Sequence, residues 1–311
     1  MTRPLQLSTA LQSFVPEERG DWAGMVRFAR MADQAGFDRL VISDHVVFGE
    51  DLDAYGDPKK GGAEGGRQPT GPDGAWLDPV ITIAHLTAVT TRVRFGTNIL
   101  LAALRRPVVL AKMAATIDVL SGGRLDIGVG VGWQREEYEA AGLDYDQRGR
   151  LLNHTIEVCQ ALWTERVASF DSEELTFRNI HQMPKPVQDG GVPIWVSGRV
   201  NARSMERLAR YGSGWIPWAE DAADIEGGIA RMRQAVEGLG RDPSGLGVVG
   251  TLREHLDDGG AFDASRTMAP VGRLAEAGVT DFRIRMRLPE DESAQAERLA
   301  QVAGAFRAAT G

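Results

Sequence analysis

His45 closes the run GFDRLVISDH, in which an apolar stretch of strand length ends in an acid and an imidazole. A histidine changes charge near neutral pH, so one at a strand end beside Asp44 is a candidate for moving a proton. His255 also stands at a predicted strand end. His85 and His154 fall on helices. The five histidines show no metal-pair spacing, so no metal site is expected. A second constellation is Ser197-Gly198-Arg199 just before a predicted helix, where free backbone N–H groups and one guanidinium suit a phosphate. A third is the run GVGVGW, where Gly128, Gly130 and Gly132 repeat with period two. One face of that strand is predicted to be bare backbone, open to something flat, or else thinned for packing. Trp133, Trp215 and Trp218 lie near these groups in the sequence pattern, and together they suggest a large, flat, phosphorylated cofactor. Arg283, Arg285 and Arg287 alternate along the last predicted strand and require anionic partners, either internal carboxylates or a ligand. GVGVGW is not a dinucleotide fingerprint, because its third glycine would fall on Trp133 or Arg135, and no P-loop is present.

These residues need elements to position them. Val93–Leu101 and Leu125–Val131 are apolar runs flanking an apolar-periodic helix, the strand–helix–strand unit of a parallel sheet. Neither strand alternates cleanly, so both faces are expected to be covered. The punctuation of helix, glycine, strand recurs at AGFDRLVI, SGGRLDIGV, YGSGWIP and AGVTDFRI. The remaining predicted strands are Leu5–Leu11, Phe37–Ser43, Val192–Val196, Trp215–Trp218, Leu246–Leu252 and Asp281–Leu288. Eight strand–helix units predict an α/β chain, a (β/α)8 TIM barrel, with an open doubly wound sheet as the rival. Insertions are expected after strand 2, where residues 46–77 form a glycine-rich, lid-like loop, and before strand 5, where residues 167–187 form a hairpin. Residues 1–311 are read as one domain. The site then belongs at the C-terminal ends of the strands, with His45 as catalytic residue and Asp44, Trp133, Trp218 and His255 around the substrate.

Composition narrows the partners. With 43% hydrophobic and 25% charged residues the 311-residue chain is ordinary for a globular protein. A net charge of −8 argues against nucleic acid or an anionic membrane as partner. The single cysteine, Cys159, sits in an apolar helical stripe and allows no internal disulfide. Neither a signal peptide nor a membrane span is predicted, so a cytoplasmic protein acting on a small molecule is expected.

At GFDRLVISDH (36–45), TRVRFGTNILLAALRRPVVLAKMAATIDVLSGGRLDIGVGVGWQREEY (91–138), CQALW (159–163), VPIWVSGR (192–199) and YGSGWIP (211–217) the sequence resembles the luciferase-like monooxygenase superfamily of flavin- and deazaflavin-dependent oxidoreductases. The resemblance implies a (β/α)8 barrel and a non-prolyl cis peptide at Asn98–Ile99, pressing on a flavin-like ring. It places cofactor contacts at Asn98, Ile99, Gly130, Gly132, Ser197, Gly198 and Arg199, and implies a homodimer. The wording of residues 101–133 is most similar to the branch using coenzyme F420, with FMN the alternative cofactor. In the dehydrogenases of that branch a histidine at the position of His45 moves a proton. Their tryptophan and glutamate positions are Gly49 and Trp133 here, which favours a reductase over an alcohol or sugar-phosphate dehydrogenase. The expectation is an F420-dependent oxidoreductase, with an FMN-dependent monooxygenase using O2 as the alternative.

Overall fold

Each of the eight long apolar runs ends in a strand whose neighbour is also a strand, and the last closes on the first. A computed structural model describes residues 3–16, 20–57 and 66–311. The strands are β1 (Gln6–Ala10), β2 (Arg39–Ile42), β3 (Arg94–Thr97), β4 (Leu125–Val129), β5 (Ile194–Gly198), β6 (Gly214–Pro217), β7 (Gly247–Arg253) and β8 (Asp281–Arg285). They pair in parallel and in chain order around a closed barrel, β8 joining β1 through Ser8 opposite Arg283. This is a (β/α)8 TIM barrel, and the open-sheet rival is excluded by that closure.

Local signals place the helices. Asp78 caps helix Pro79–Thr87 by accepting Val80 N–H at 2.8 Å and Ile81 N–H at 3.0 Å, with Pro79 in the first turn. Gly36 ends helix Trp22–Ala35 at φ 97°, a conformation open to glycine at little cost. Helices Ala264–Met268 and Val271–Ala277 are parted at Pro270, which has no N–H to continue the ladder. Strands predicted to reach Leu101 and Leu288 stop at Thr97 and Arg285.

Outward-facing strand residues such as Leu40, Phe95, Ile127, Val196, Trp215 and Phe282 pack against the helices in one continuous core. The inside is different. Trp195 fills the lower barrel, over Arg39 at 4.7 Å. It fits because a Cβ on Gly214 would fall 2.4 Å, and one on Gly247 2.5 Å, from its ring. Above it lie Ile216 and Val249, with Ile99 packed on them. The remaining interior is polar: Arg39 pairs with Asp126 at 3.1 Å and with Asp281, and Asp281 also accepts the Ser8 hydroxyl.

The expected hairpin is present, Ala168–Asp171 pairing with Thr176–Ile180. In the loop after β2, a 3-10 turn spans Leu52–Gly56, and Ala75–Trp76 pairs with Phe14–Val15. Residues 58–65 of the predicted lid, including Lys59 and Lys60, lie outside the described residues.

Candidate active site

The first polar groups beyond β2 go separate ways. Asp44 is buried, and its carboxylate accepts Leu101 N–H at 2.9 Å and two bonds from Arg105 at 2.6 and 3.0 Å. Burial works to lower the Arg105 pKa, but Asp44 and Asp78 hold it above its ordinary value. Asp44 is therefore a clamp between β2 and the segment after β3, which corrects its placement in the substrate pocket. Both its oxygens are taken by a bidentate pair, so it has no free edge to offer.

His45 turns the other way. Its Nδ1 lies 3.3 Å from Oε1 of Glu137, which also accepts Val46 N–H at 2.8 Å. Glu137 stands on the short helix Arg135–Ala140 beyond β4 and is 1% exposed. Its second oxygen is buried with no partner among the described residues. His45 Nε2 faces the amide nitrogen of Gln68 at 3.2 Å. An amide nitrogen can only donate, so Nε2 carries the lone pair and Nδ1 the proton directed at Glu137. A carboxylate that fixes the imidazole tautomer and can balance an imidazolium equips His45 for proton transfer at Nε2.

Aromatic rings enclose this imidazole. Phe48 and Trp76 lie 4.6 and 4.7 Å from it and Trp133 6.1 Å, while Phe14 stacks on Trp76 at 4.2 Å. Tyr55 bridges Trp133 at 5.5 Å and Trp218 at 6.5 Å, its phenol pKa raised by burial. Phe48, Tyr55 and Trp76 thus bring the 46–77 segment against His45, Trp133 and Trp218, with Tyr55 between the two tryptophans. His255 does not join them: its backbone ties a turn through Thr267 and Asp263, and its ring has no hydrogen bond or ring stacking with the described residues of the His45 group. Among the described residues Trp133 Nε1 is buried without a partner, a donor available to a bound molecule.

The Asn98–Ile99 peptide is cis, as the resemblance implied. Asn98 and Ile99 are half-buried at the mouth, Ile99 offering apolar surface and Asn98 accepting Arg283 Nη1–H at 2.8 Å. The glycines of β4 and its extension are not bare, however. A Cβ on Gly130 would meet Ile99 Cδ1 at 2.8 Å, one on Gly132 Leu101 Cδ2 at 2.7 Å, and one on Gly128 the Thr97 carbonyl at 2.1 Å. The period-two glycines admit residues 97–101 against β4. This corrects the open-face reading: Gly130 and Gly132 act behind Ile99 and Leu101, and Ile99 presents the flat apolar surface.

Ser197, Gly198 and Arg199 sit at the same end of the barrel, at the top of β5. The helix that follows, Ala202–Tyr211, is already capped: Asn201 accepts Ser204 N–H at 3.0 Å. Val200 N–H goes to Asp221 at 2.7 Å, and Arg199 stands 3.7 Å from Glu220. The phosphate donors expected here are therefore partly committed, Arg199 among them, and the first-turn amides of Ala202 and Arg203 complete the rim. With the Ile99 platform, the unpartnered Trp133 N–H and this rim, the residues present fit a planar ring carrying a phosphorylated tail. Among the described residues no group of three His, Cys, Asp or Glu could hold a metal ion, and no helix is long and apolar enough to cross a membrane.

Sequence reasoning missed Glu137, Gln68, Phe48, Tyr55, Trp76 and Phe14. Glu137 was visible only as part of an acidic first turn, Glu136-Glu137, which is also the ordinary composition of a helix N-terminus.

An uncharacterized protein of Mycobacterium tuberculosis is 31% identical over 277 residues, covering 88% of this chain and 91% of its own. The F420-dependent glucose-6-phosphate dehydrogenase of Segniliparus rotundus is 27% identical over 295 residues, 89% of this chain and 77% of that one. Among solved structures, a long-chain alkane monooxygenase superposes with a TM-score of 0.75 at 14% identity, over 99% of this chain and 92% of its own. The family model for luciferase-like monooxygenases matches residues 5–304, nearly the whole barrel and its mouth, and the chain belongs to that family.

Proposed function

We propose that this protein is an F420-dependent oxidoreductase that moves a hydride between C5 of the deazaflavin and a small organic substrate, working as a reductase. The observation that carries the reading is the His45–Glu137 pair at the barrel mouth. Hydride delivery to a polar double bond leaves a negative charge that needs a proton, and a carboxylate-backed imidazole is suited to provide one. The 27% identity to an F420-dependent dehydrogenase over most of both chains supports the choice of cofactor.

Asn98, Ile99 and the Ser197–Arg199 rim would hold the cofactor, with Trp133 N–H available beside it. When bound, the deazaflavin supplies the hydride. His45 gives its Nε2 proton to the substrate atom adjoining the carbon that is reduced, and Glu137 stabilises the imidazolium before transfer. After transfer the imidazole keeps Nδ1–H on Glu137, the tautomer described above. Phe48, Tyr55 and Trp76 exclude water from the bond being formed. A cytoplasmic homodimer acting on a small molecule completes the proposal.

The test is equilibrium titration of the purified protein with F420 and with FMN, followed by O2 consumption with reduced FMN. Tight F420 binding without O2 uptake is expected. Rapid O2 uptake with reduced FMN would favour the monooxygenase reading, and binding of neither cofactor would overturn both.

A further inference from the structure

The barrel interior is not electrically balanced. Among the described residues three inward guanidinium groups, Arg39, Arg94 and Arg283, share it with two carboxylates, Asp126 and Asp281. Both acids are committed below. Asp126 is held by Arg39 at 3.1 Å and by Arg94 at 2.9 Å, and Asp281 by Arg39 and the Ser8 hydroxyl. Their charges keep Asp126 well under the usual carboxylate range against the opposing effect of burial. Arg283 is left with neutral partners, Ser8 Oγ at 3.3 Å and Asn98 Oδ1 at 2.8 Å. Among the described residues it has no ion pair.

Exposure rises along β8 from buried Asp281 through half-buried Arg283 to exposed Arg285, so this strand climbs from the floor to open solvent. Thr251, its register partner on β7, is exposed, which puts the bottom of the open mouth at the level of Arg283. One step higher Arg253 is opposite Arg285, and neither is ion-paired among the described residues. A partly desolvated cation beneath two more cations is costly unless an anion comes to it. Burial, with the like charges of Arg39 and Arg285, leaves the Arg283 pKa below its ordinary value against the opposing pull of Asp281.

We infer that Arg283 is a cofactor-binding residue: aimed by Asn98, it meets the acidic pyrimidine edge of the reduced ring and holds that ring as its anion. The inference rests on the cofactor reading above and gives the uncompensated charge its partner. It makes the mouth selective for a planar heterocycle that can lose a ring N–H proton.

The experiment is a pH titration of the absorbance of the reduced ring (F420 and FMN separately), free and bound to wild-type protein, Arg283→Lys and Arg283→Gln. Binding to wild type is expected to lower the pH of ring ionisation by at least one unit, a tenfold preference for the anion. Arg283→Gln should abolish that shift and weaken binding of the reduced ring tenfold or more, with Arg283→Lys in between. The wild-type measurement stands even should a variant fail to fold, and a bound ring that ionises no lower than the free one overturns the inference. So does an Arg283→Gln variant that binds and ionises the ring normally while losing KM only for acidic substrates, since the cation would then serve the substrate. Failure of wild type to bind either ring would instead sink the cofactor reading itself.

Discussion

Replacing Glu137 with glutamine separates the charge of this side chain from its shape. The glutamine oxygen can still accept Val46 N–H, now 2.8 Å away, so the segment after β2 keeps its anchor. What is lost is the negative charge 3.3 Å from His45 Nδ1. A hydrogen bond to a charged group contributes about 1.5–3 kcal/mol and a neutral one about 0.5–1.5, so the imidazolium loses on the order of 1–2 kcal/mol. At 1.36 kcal/mol per decade, kcat should fall roughly 5- to 30-fold. The cofactor dissociation constant should stay within about twofold, because Glu137 is remote from the Asn98–Ile99 platform in this reading. The assay is single-turnover reduction of substrate, normalised to bound cofactor, in H2O and D2O. A solvent isotope effect that grows in the variant marks a slowed proton transfer, which a purely structural role would not produce. Unchanged kcat and isotope effect in a well-folded Glu137→Gln protein would refute the argument.

Other outcomes follow from the same geometry. Gln68 donates to the nitrogen that substrate needs, so Gln68→Ala should raise kcat/KM several-fold, about the 0.5–1.5 kcal/mol of one neutral hydrogen bond; a decrease in steady-state assays would show that Gln68 assists substrate instead. Gly132 has φ +70° and leaves no room beside Leu101, so Gly132→Ala should cost about 1–3 kcal/mol and lower the melting midpoint by several degrees in calorimetry. Asp33 is opposed by burial, but N–H bonds from Thr91, Val93 and Arg92 hold its pKa below the ordinary carboxylate value. A depressed folded-state pKa gives stability that is full above the unfolded value, about 3.9, and fades as pH falls through the lower folded value. Asp33→Asn should therefore be less stable than wild type at pH 7 in urea unfolding, with the gap closing below about pH 4.

Much of this protein could be read along the chain. Apolar runs of strand length separated by amphipathic helices and glycine stops specify a parallel sheet with both faces covered, because periodicity and turn chemistry are local properties. A histidine one residue past an acid at a strand end stood out as the candidate for proton transfer. The resemblance placed the Asn98–Ile99 bond. What local pattern could not decide was partnership. Asp44 looked like the neighbour of His45, yet Arg105 and Leu101 claim it, and the imidazole turns to a carboxylate 92 positions away. The period-two glycines read equally as an open face or as room for a neighbour, and only the path of residues 97–101 across β4 filled that space. The arginines of β8 announced a need for anions without saying which were free. Closing the barrel puts Arg39 and Arg94 on the two interior aspartates and leaves Arg283 without one, because charge pairing is settled by which strands become neighbours and in what register.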